Sequence, residues 1–169
     1  CETDGVFKAI APVAGTMFGV SWASCEPSPM PVLEIHGTSD SVTLWDGDYS
    51  DTYWGPYPGT EEVISFWTEE NNCLSSEQTT LQGMNTIKHR YFDCNDSVEV
   101  WLYEVVGGGH DWPGYSSQEI WSFFSQYSFR LGDMNDDSTI NILDVIQLVN
   151  LILFNAYEQA GDLNQDGVI

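Results

Sequence analysis

Basic side chains are scarce in this chain, which has four Lys and Arg residues against 26 Asp and Glu residues and a formal net charge of −22 at pH 7. Nucleic-acid binding needs a basic surface that displaces phosphate counterions, and anionic membrane surfaces attract clusters of Lys and Arg. The composition therefore argues against both kinds of partner. It favours a soluble, self-repelling surface in a salty or calcium-containing medium.

Long hydrophobic runs are also missing. The densest apolar stretch covers residues 142–154 and is interrupted by Asp144, Gln147 and Asn150. It is therefore too short to span a bilayer, which takes about 20 apolar residues. Hydrophobic residues nevertheless make up 42% of the 169 residues and aromatic residues 14%, which is enough to build a core and rules out wholesale disorder.

The four cysteines form no Cys-x-x-Cys pair and have no histidine at zinc spacing, so a zinc site is not predicted. They are Cys1, Cys25, Cys73 and Cys94. An even number of cysteines in an acidic, Trp-rich chain favours disulfides and an exported protein. Three pairings are possible, and we prefer Cys1–Cys25 with Cys73–Cys94 because each closes a short local loop. Buried free thiols in a cytosolic protein are the alternative.

A change in composition near Leu131 and Gly132 indicates a domain boundary. Residues 1–130 contain 19 acidic and all four basic residues, whereas residues 131–169 contain seven acidic and no basic residues. We therefore predict two domains, residues 1–130 and residues 131–169. Because the sequence stops inside an unfinished repeat, we also expect it to be part of a longer protein.

Strands alternating with helices predict an α/β fold for the first domain, with a parallel sheet and flanking helices. The predicted strands cover residues 7–13, 31–36 and 98–106. The predicted helices cover residues 61–70 and about 116–127. Residues 79–94 are predicted to be either an irregular strand or a hairpin.

Two of the predicted strands end in segments that carry chemically active side chains. The strand over residues 31–36 runs into a turn at Gly37 and then reaches Asp40, and the strand over residues 98–106 is followed by three glycines and His110. Open α/β sheets place their sites at the carboxyl ends of strands, and glycine permits the positive φ of a sharp turn. Either residue alone is more typical of a turn or loop, but together they indicate one site.

Asp40 and His110 follow the chain order of the acid and the base in α/β-hydrolases. In such a site Asp40 orients the imidazole and His110 transfers the proton. We therefore expect a hydrogen bond between them, with the heavy atoms about 2.6–3.2 Å apart. His36 is predicted to be a structural hydrogen-bonding residue, and His89 is predicted to lie on the surface.

Four segments carry a family resemblance: residues 7–15 (FKAIAPVAG), 31–40 (PVLEIHGTSD), 64–67 (ISFW) leading to Asn72 and Cys73, and 108–114 (GGHDWPG). They resemble the C-terminal half of secreted esterases grouped with polyhydroxybutyrate depolymerases and feruloyl esterases. The resemblance implies the C-terminal part of an α/β-hydrolase sheet, in which Asp40 and His110 match the acid and the base of the family. It also implies that residues 11–15 form the strand after the nucleophile helix.

The nucleophile of that family is the serine of a Gly-x-Ser-x-Gly turn. The spacing occurs here at residues 15–19, where Thr16, Met17 and Phe18 lie between the glycines and no serine is present. The nucleophile and the oxyanion loop are therefore expected before Cys1. Without them most of the rate enhancement is lost, so we expect these 169 residues alone to be inactive.

Oxygen-bearing residues recur through residues 133–144 at the spacing of a calcium-binding loop. Positions 1, 3, 5, 9 and 12 carry oxygen side chains, and position 7 offers a backbone carbonyl. The residues in order are Asp133, Asn135, Asp137, Thr139, Asn141 and Asp144. Such an oxygen cage suits Ca²⁺. Ser138 replaces the usual glycine at position 6, and Asp144 replaces glutamate at position 12.

The same pattern begins again 29 residues after Asp133, at Asp162, Asn164 and Asp166. The tail resembles a dockerin type I module with one full repeat and a truncated second repeat. This resemblance implies a small helical, EF-hand-like domain with structural Ca²⁺ and a cohesin-like partner. We expect the first loop to bind tightly and the second weakly, since the second lacks its closing carboxylate. The helix over residues 142–154 is apolar almost all round and needs cover.

Both domains together predict part of a secreted carboxylic-ester hydrolase with a Ser-His-Asp triad, acting on feruloyl or acetyl esters of polysaccharides or on polyesters, and needing no catalytic cofactor. A non-catalytic cell-surface or assembly protein with a degenerate hydrolase scaffold is the alternative from another class. A serine peptidase of the same fold is a further alternative. The aromatic loop over residues 45–57 is a candidate wall of the substrate pocket, or else it caps the core.

Overall fold

The computed structural model of the protein describes residues 6–19, 25–127, 132–135, 139–154 and 156–162. The chain divides into two compact units, Cys1–Tyr127 and Ser128–Ile169. Within the described part of the chain, no helix has both the length and the apolar character that crossing a membrane requires.

A four-stranded sheet in the order β1-β4-β3-β2 lies at the centre of the first unit. Its strands are β1 (Val32–Gly37), β2 (Ser75–Thr80), β3 (Thr86–Phe92) and β4 (Val100–Val105). Strands β1 and β4 are parallel, whereas β4 with β3 and β3 with β2 are antiparallel. The sheet is therefore mixed and not parallel as predicted. The reason is the short turn at residues 81–85, which joins β2 to β3 as a hairpin, since a parallel connection needs a long crossover.

The expected strand at residues 7–13 is only partly formed. It lies parallel to β1 through two isolated bridges, Ile10 with Val32 and Val13 with Ile35. The Ile35 N–H donates to the carbonyl of Pro12 at 3.1 Å, but Pro12 has no N–H of its own to continue a ladder. The segment is therefore extended and paired without being a regular strand.

Helices cover the two faces of the sheet. Helix α1 (Thr60–Glu70) packs Val63, Ile64 and Trp67 against one face, together with Val32 of β1. Helix α2 (Ser116–Phe124) packs Phe123 against the other face. This division follows from the period-two alternation of side chains along a strand.

The predicted Cys73–Cys94 disulfide is present. These two cysteines continue the β2–β3 register, in which Ser75 lies opposite Phe92, so they face each other across the hairpin. Their Cα atoms are 3.9 Å apart, closer than the roughly 4.4–6.8 Å that most disulfides show. Cys25 is also disulfide-bonded, and the expected Cys1–Cys25 pair includes a residue outside the described ranges.

The second unit contains helix α3 (Ile142–Leu153), which begins at the first residue of the predicted helix over residues 142–154 and ends one residue before its last. Asn141 caps its first turn, because its side-chain oxygen accepts the N–H of Leu143 at 2.8 Å. The apolar side chains of α3 remain largely exposed, including Ile146, Leu153 and the following Phe154. The Gly132 N–H donates to the carbonyl of Ala160 at 2.7 Å.

Candidate active site

The loops that follow β1 and β4 meet at one end of the sheet. Gly37 lies opposite Val105 in the parallel pair, so both strands end at the same edge. The Thr38 N–H donates to the carbonyl of Val105 at 3.0 Å, and the Ser39 N–H donates to the carbonyl of Gly108 at 2.9 Å. These backbone hydrogen bonds join the two loops without any contribution from side chains.

Asp40 and His110 are in direct contact at this edge. Nδ1 of His110 lies 2.9 Å from Oδ2 of Asp40, so the expected hydrogen bond is formed. The Asp40 side chain has no exposed surface, whereas the His110 side chain is 44% exposed. Because an ionised carboxylate only accepts hydrogen bonds, Nδ1 of His110 is the donor in this contact.

The surroundings of Asp40 hold its carboxylate in the ionised form. Burial alone raises the pKa of a carboxyl group. Here the N–H of Val42, the imidazole of His110 and the N–H of Thr43 outweigh burial and lower the pKa of Asp40. The two N–H groups donate to Oδ1 at 2.8 Å and 3.0 Å. Oδ1 therefore holds the turn, and Oδ2 is directed to His110.

A second acid–base pair lies beneath Asp40. Nδ1 of His36 is 3.1 Å from Oε1 of Glu34, and both side chains are almost fully buried. Nε2 of His36 donates to the carbonyl of Thr43 at 2.9 Å and lies 3.5 Å from Oδ2 of Asp40. The hydrogen bonds of His36 agree with its predicted structural role.

Glu34 is the residue of this site that sequence reasoning missed. The available signal was an acid among the six buried residues of β1, with His36 two positions further along and so on the same face of the strand. Burial raises the pKa of Glu34 to about 7, opposed by the side chain of His36 and the backbone of Gly15. Burial lowers the pKa of His36, but Glu34, the Thr43 carbonyl and Asp40 together raise it above its usual value.

The aromatic loop after Asp40 divides into buried and exposed residues. Tyr57 is buried, and the ring of Trp45 meets the ring of His36 edge-on at 6.0 Å. Tyr53 and Trp54 are exposed, and Oδ1 of Asp51 accepts the N–H groups of both. The loop thus packs on the core at its ends and presents aromatic rings between them.

Three of the described acidic residues in the predicted calcium loops of the second unit are buried. Asp133, Asp144 and Asp162 are each no more than 5% exposed, in a region without Lys or Arg. Asp144 accepts the N–H of Asn141 at 2.6 Å and that of Met134 at 2.8 Å. These bonds join the two ends of the loop.

This donor set fits calcium, because all the donors are oxygens and buried carboxylates need positive charge nearby. Among the residues that the structure describes, no three His, Cys, Asp or Glu side chains are grouped closely enough to hold a metal. Thr139 and Asn141 contact each other, with the Asn141 amide donating to the Thr139 carbonyl at 3.0 Å. Three of the predicted ligands, Asp137, Asn164 and Asp166, lie outside the described residues.

A comparison of this chain with known protein families agrees with the repeated acidic loops. Residues 131–169 match the dockerin type I domain. This match covers the region in which the sequence predicted a dockerin-like module. It supports calcium as a structural ion of the tail.

Two esterases are among the curated proteins similar to this chain. Feruloyl esterase B of Piromyces equi is 29% identical over 134 residues, which is 76% of this chain and 24% of that protein. The bifunctional acetylxylan esterase/xylanase XynS20E of Neocallimastix patriciarum is 25% identical over 126 residues, which is 71% of this chain and 16% of that protein. The chain therefore spans a quarter or less of the length of these relatives.

Proposed function

We propose that this chain is part of a secreted carboxylic-ester hydrolase of the α/β-hydrolase fold, related to the polyhydroxybutyrate depolymerase and feruloyl esterase group. The observation that carries the proposal is the 2.9 Å contact between buried Asp40 and half-exposed His110. The two residues come from loops at the carboxyl ends of neighbouring parallel strands, which is where open α/β sheets place their sites. The two esterase relatives support the same reaction class.

In the proposed reaction His110 acts as the general base and then as the general acid. Its Nε2 accepts the proton of a serine hydroxyl while the serine oxygen attacks the ester carbonyl carbon, and it later donates that proton to the departing alkoxide. Asp40 holds the Nδ1–H and stabilises the imidazolium that forms between these steps. A water molecule then repeats the sequence on the acyl-enzyme.

The serine of this triad belongs, in our proposal, to a segment before Cys1. The 169 residues contain no Gly-x-Ser-x-Gly turn, and the relatives are much longer than this chain. The chain alone is therefore expected to be inactive. The second candidate is a non-catalytic scaffold for cell-surface display or assembly, and the dockerin match is the observation that favours it.

The substrate that we propose is a feruloyl or acetyl ester on a plant-wall polysaccharide. The names of the two relatives point to these esters. Tyr53, Trp54 and Trp112 are exposed aromatic side chains on the loops that follow Asp40 and His110, and such rings stack on phenolic or sugar rings. A polyester and a peptide are the competing substrates.

For residues 131–169 we propose a calcium-stabilised module that attaches the enzyme to a cohesin-like protein. The ligands would be the oxygens of the first loop, with Asp162, Asn164 and Asp166 in a weaker second loop. The dockerin match and the buried acids Asp133 and Asp144 support this role. Calcium supplies charge neutralisation to the loop and takes no part in ester hydrolysis.

The test is hydrolysis by the secreted protein that carries these residues, with a feruloyl ester, acetylated xylan, a polyhydroxybutyrate film and a peptide amide as substrates. We expect His110→Ala and Asp40→Asn to lower kcat by roughly 10³–10⁴-fold on the ester that is cleaved. Matched controls are His89→Ala, on the hairpin, and Asp93→Asn, at the other end of the sheet, where Asp93 accepts a hydrogen bond from Ser75. Both should retain activity.

The outcomes separate the candidate functions. Cleavage of the peptide amide alone would replace the esterase by a peptidase, and cleavage of the polyester alone would change the substrate class. A secreted protein with no hydrolytic activity on any of the four substrates would support the non-catalytic scaffold. Full activity of His110→Ala would contradict the assignment of the base.

A further inference from the structure

The buried Glu34–His36 pair lies directly behind the acid of the proposed site. The Nδ1 atom of His36 faces Oε1 of Glu34 at 3.1 Å, and its Nε2 atom faces both the Thr43 carbonyl and the Asp40 carboxylate. Among the described residues, the titratable groups that face His36 are Glu34 and Asp40. Trp45 lies edge-on to the imidazole and contributes no charge.

The hydrogen bond between His36 and the Thr43 carbonyl shows that Nε2 of His36 is protonated. A carbonyl oxygen only accepts hydrogen bonds, so Nε2 of His36 carries a hydrogen that it donates to Thr43. Nδ1 then either accepts a proton from neutral Glu34 or donates one to ionised Glu34. In both cases the pair has no net charge, because it holds a single shared proton between Nδ1 and the carboxyl oxygen.

Both backbone polar groups of Thr43, its N–H and its carbonyl, are hydrogen-bonded to side chains. Its N–H donates to Oδ1 of Asp40 at 3.0 Å, and its carbonyl accepts from Nε2 of His36 at 2.9 Å. The turn that Asp40 caps is therefore fixed by His36 on its far side. A shift of Thr43 would displace one of the two N–H groups that hold Oδ1, and we expect Oδ2 then to move away from His110.

We propose that His36, held by Glu34, is the positioning residue for Asp40: it fixes the turn of residues 40–43 so that the carboxylate points at Nδ1 of His110. This inference rests on the proposed function only for its catalytic consequence. The geometric part concerns the described residues alone. A buried polar pair is costly relative to apolar side chains of similar size, and the specific orientation of Asp40 is what this pair provides.

Two isosteric variants distinguish the two nitrogens of His36. The amide nitrogen of glutamine reaches the position of Nε2, so His36→Gln keeps a donor for the Thr43 carbonyl. The amide nitrogen of asparagine reaches only the position of Nδ1, so His36→Asn loses that donor. His89→Gln and His89→Asn, at a partly buried histidine that contacts Glu104 on the sheet, are the matched controls.

The first readout uses the 169-residue chain and needs no activity. We expect the hydrogen between Nδ1 of His110 and Asp40 to give a far-downfield proton resonance in NMR spectra, which His110→Ala would identify by its loss. We expect this resonance to persist in His36→Gln and in both His89 variants, and to be lost or shifted in His36→Asn. Thermal melting of each variant shows that the chain is folded when the spectrum is taken.

The second readout is kinetic and uses the secreted protein with its nucleophile. We expect His36→Asn to lower kcat by roughly 10²-fold with little change in KM, because a displaced catalytic group costs about that much. His36→Gln and Glu34→Gln should stay close to the wild type, since the amide introduced by Glu34→Gln still donates to Nδ1 of a neutral His36. Active-site titration corrects each kcat for the folded fraction.

The results separate this inference from the proposed function. Equal spectra and equal kcat in His36→Gln and His36→Asn would overturn the inference, even if His110→Ala is inactive. A decrease in the kcat of Glu34→Gln to the level of His36→Asn would also overturn it. That result would show that kcat depends on the ionisation of the pair and not on the hydrogen bond that fixes the turn. Full activity of His110→Ala would overturn the proposed function, whereas the NMR result would still decide whether His36 positions Asp40.

Discussion

The carbonyl oxygen of Gly108 occupies the space that a side chain on Gly37 would need. A Cβ atom built on Gly37 would overlap the carbonyl groups of Gly108 and Gly109. This close approach brings the turn after β1 against the glycine loop after β4. On these two loops lie Asp40 and His110, which are 70 residues apart in the sequence and share a hydrogen bond.

Gly37→Ala is therefore expected to destabilise the first unit by about 2 kcal/mol, because overpacking at a backbone contact forces the chain to move. It should also separate the two loops and weaken the contact between Asp40 and His110. The measurement is urea unfolding followed by Trp fluorescence, which reports on this unit because all seven tryptophans lie within residues 1–130.

Two other glycines serve as graded controls for Gly37→Ala. Gly107 has a φ of +72° and open space around it, so Gly107→Ala should cost only the ~1 kcal/mol of a left-handed residue. Gly114 has neither a positive φ nor a neighbour within 4 Å, so Gly114→Ala should be neutral. Equal effects at Gly37 and Gly114 would show that the close approach is not important for stability.

The pair of Glu34 and His36 should make the first unit less stable as the pH rises. Burial raises the pKa of Glu34 to about 7, and the contact with Glu34 raises the pKa of His36 despite burial. Because the folded pair shares one proton, it holds more protons than the unfolded chain only above about pH 6.5, where unfolded His36 loses its proton, so the free energy of unfolding falls as the pH rises past this value. Asp40, whose pKa is lowered, affects stability only at more acidic pH.

The measurement for this pair is urea unfolding by Trp fluorescence at a series of pH values. The expected decrease is of the order of 1 kcal/mol between about pH 6.5 and pH 8. Glu34→Gln removes one of the two groups and should flatten the curve, whereas Glu70→Gln, an exposed acid at the end of α1, should leave it unchanged. A steeper curve in Glu34→Gln would contradict the assignment.

The part of the site that sequence predicts well is the part that depends on strand ends. Asp40 and His110 follow apolar runs that become β1 and β4, and parallel neighbours end at the same edge, so their contact follows from the topology. The helices were also predictable, because Val63, Ile64 and Trp67 recur at helical spacing. Both features come from a strong local sequence pattern, and the contact between Asp40 and His110 also depends on two strands that run parallel.

The pairing of polar strands was harder to predict. Strand β2 consists of Ser, Glu, Gln and Thr and is mostly exposed, so it has no apolar periodicity to recognise. Its place in the sheet depends on the turn at residues 81–85 and on the Cys73–Cys94 bridge. Glu34 was missed for a related reason: its partner His36 is apparent only when the burial of β1 is known.

Loss of the Cys73–Cys94 bridge is expected to destabilise the first unit by ~3 kcal/mol, because the bridge closes a loop with a sequence separation of 21 and restricts the unfolded chain. The double variant Cys73→Ser with Cys94→Ser removes the bridge without leaving a free thiol. Urea unfolding of the variant and the wild type checks the value. With reductant present in both samples the difference should disappear, and a persistent difference would show that side-chain contacts, not the cross-link, are responsible.

Calcium is expected to bind one tight site in the tail, formed by the first loop. Its candidate ligands are Asp133, Asn135, Asp137, Thr139, Asn141 and Asp144. The N–H of Asn141, followed by those of Met134 and Asn135, outweighs the effect of burial and lowers the pKa of Asp144. The closing carboxylate therefore stays ionised, and its mutual repulsion with the other acids of the loop should make the calcium-free loop loose.

Calorimetric titration and far-UV circular dichroism test this site. We expect one tight binding event and a gain in helicity, because Asp144 both closes the loop and caps the first turn of α3. Asp133→Ala and Asp144→Ala should abolish the tight event, whereas Asp136→Ala, at the non-ligating position 4 of the same loop, should keep it. Two comparable events, or no binding below about 1 mM, would contradict the assignment, since the second loop offers fewer carboxylates and a full oxygen cage is what gives such loops their affinity.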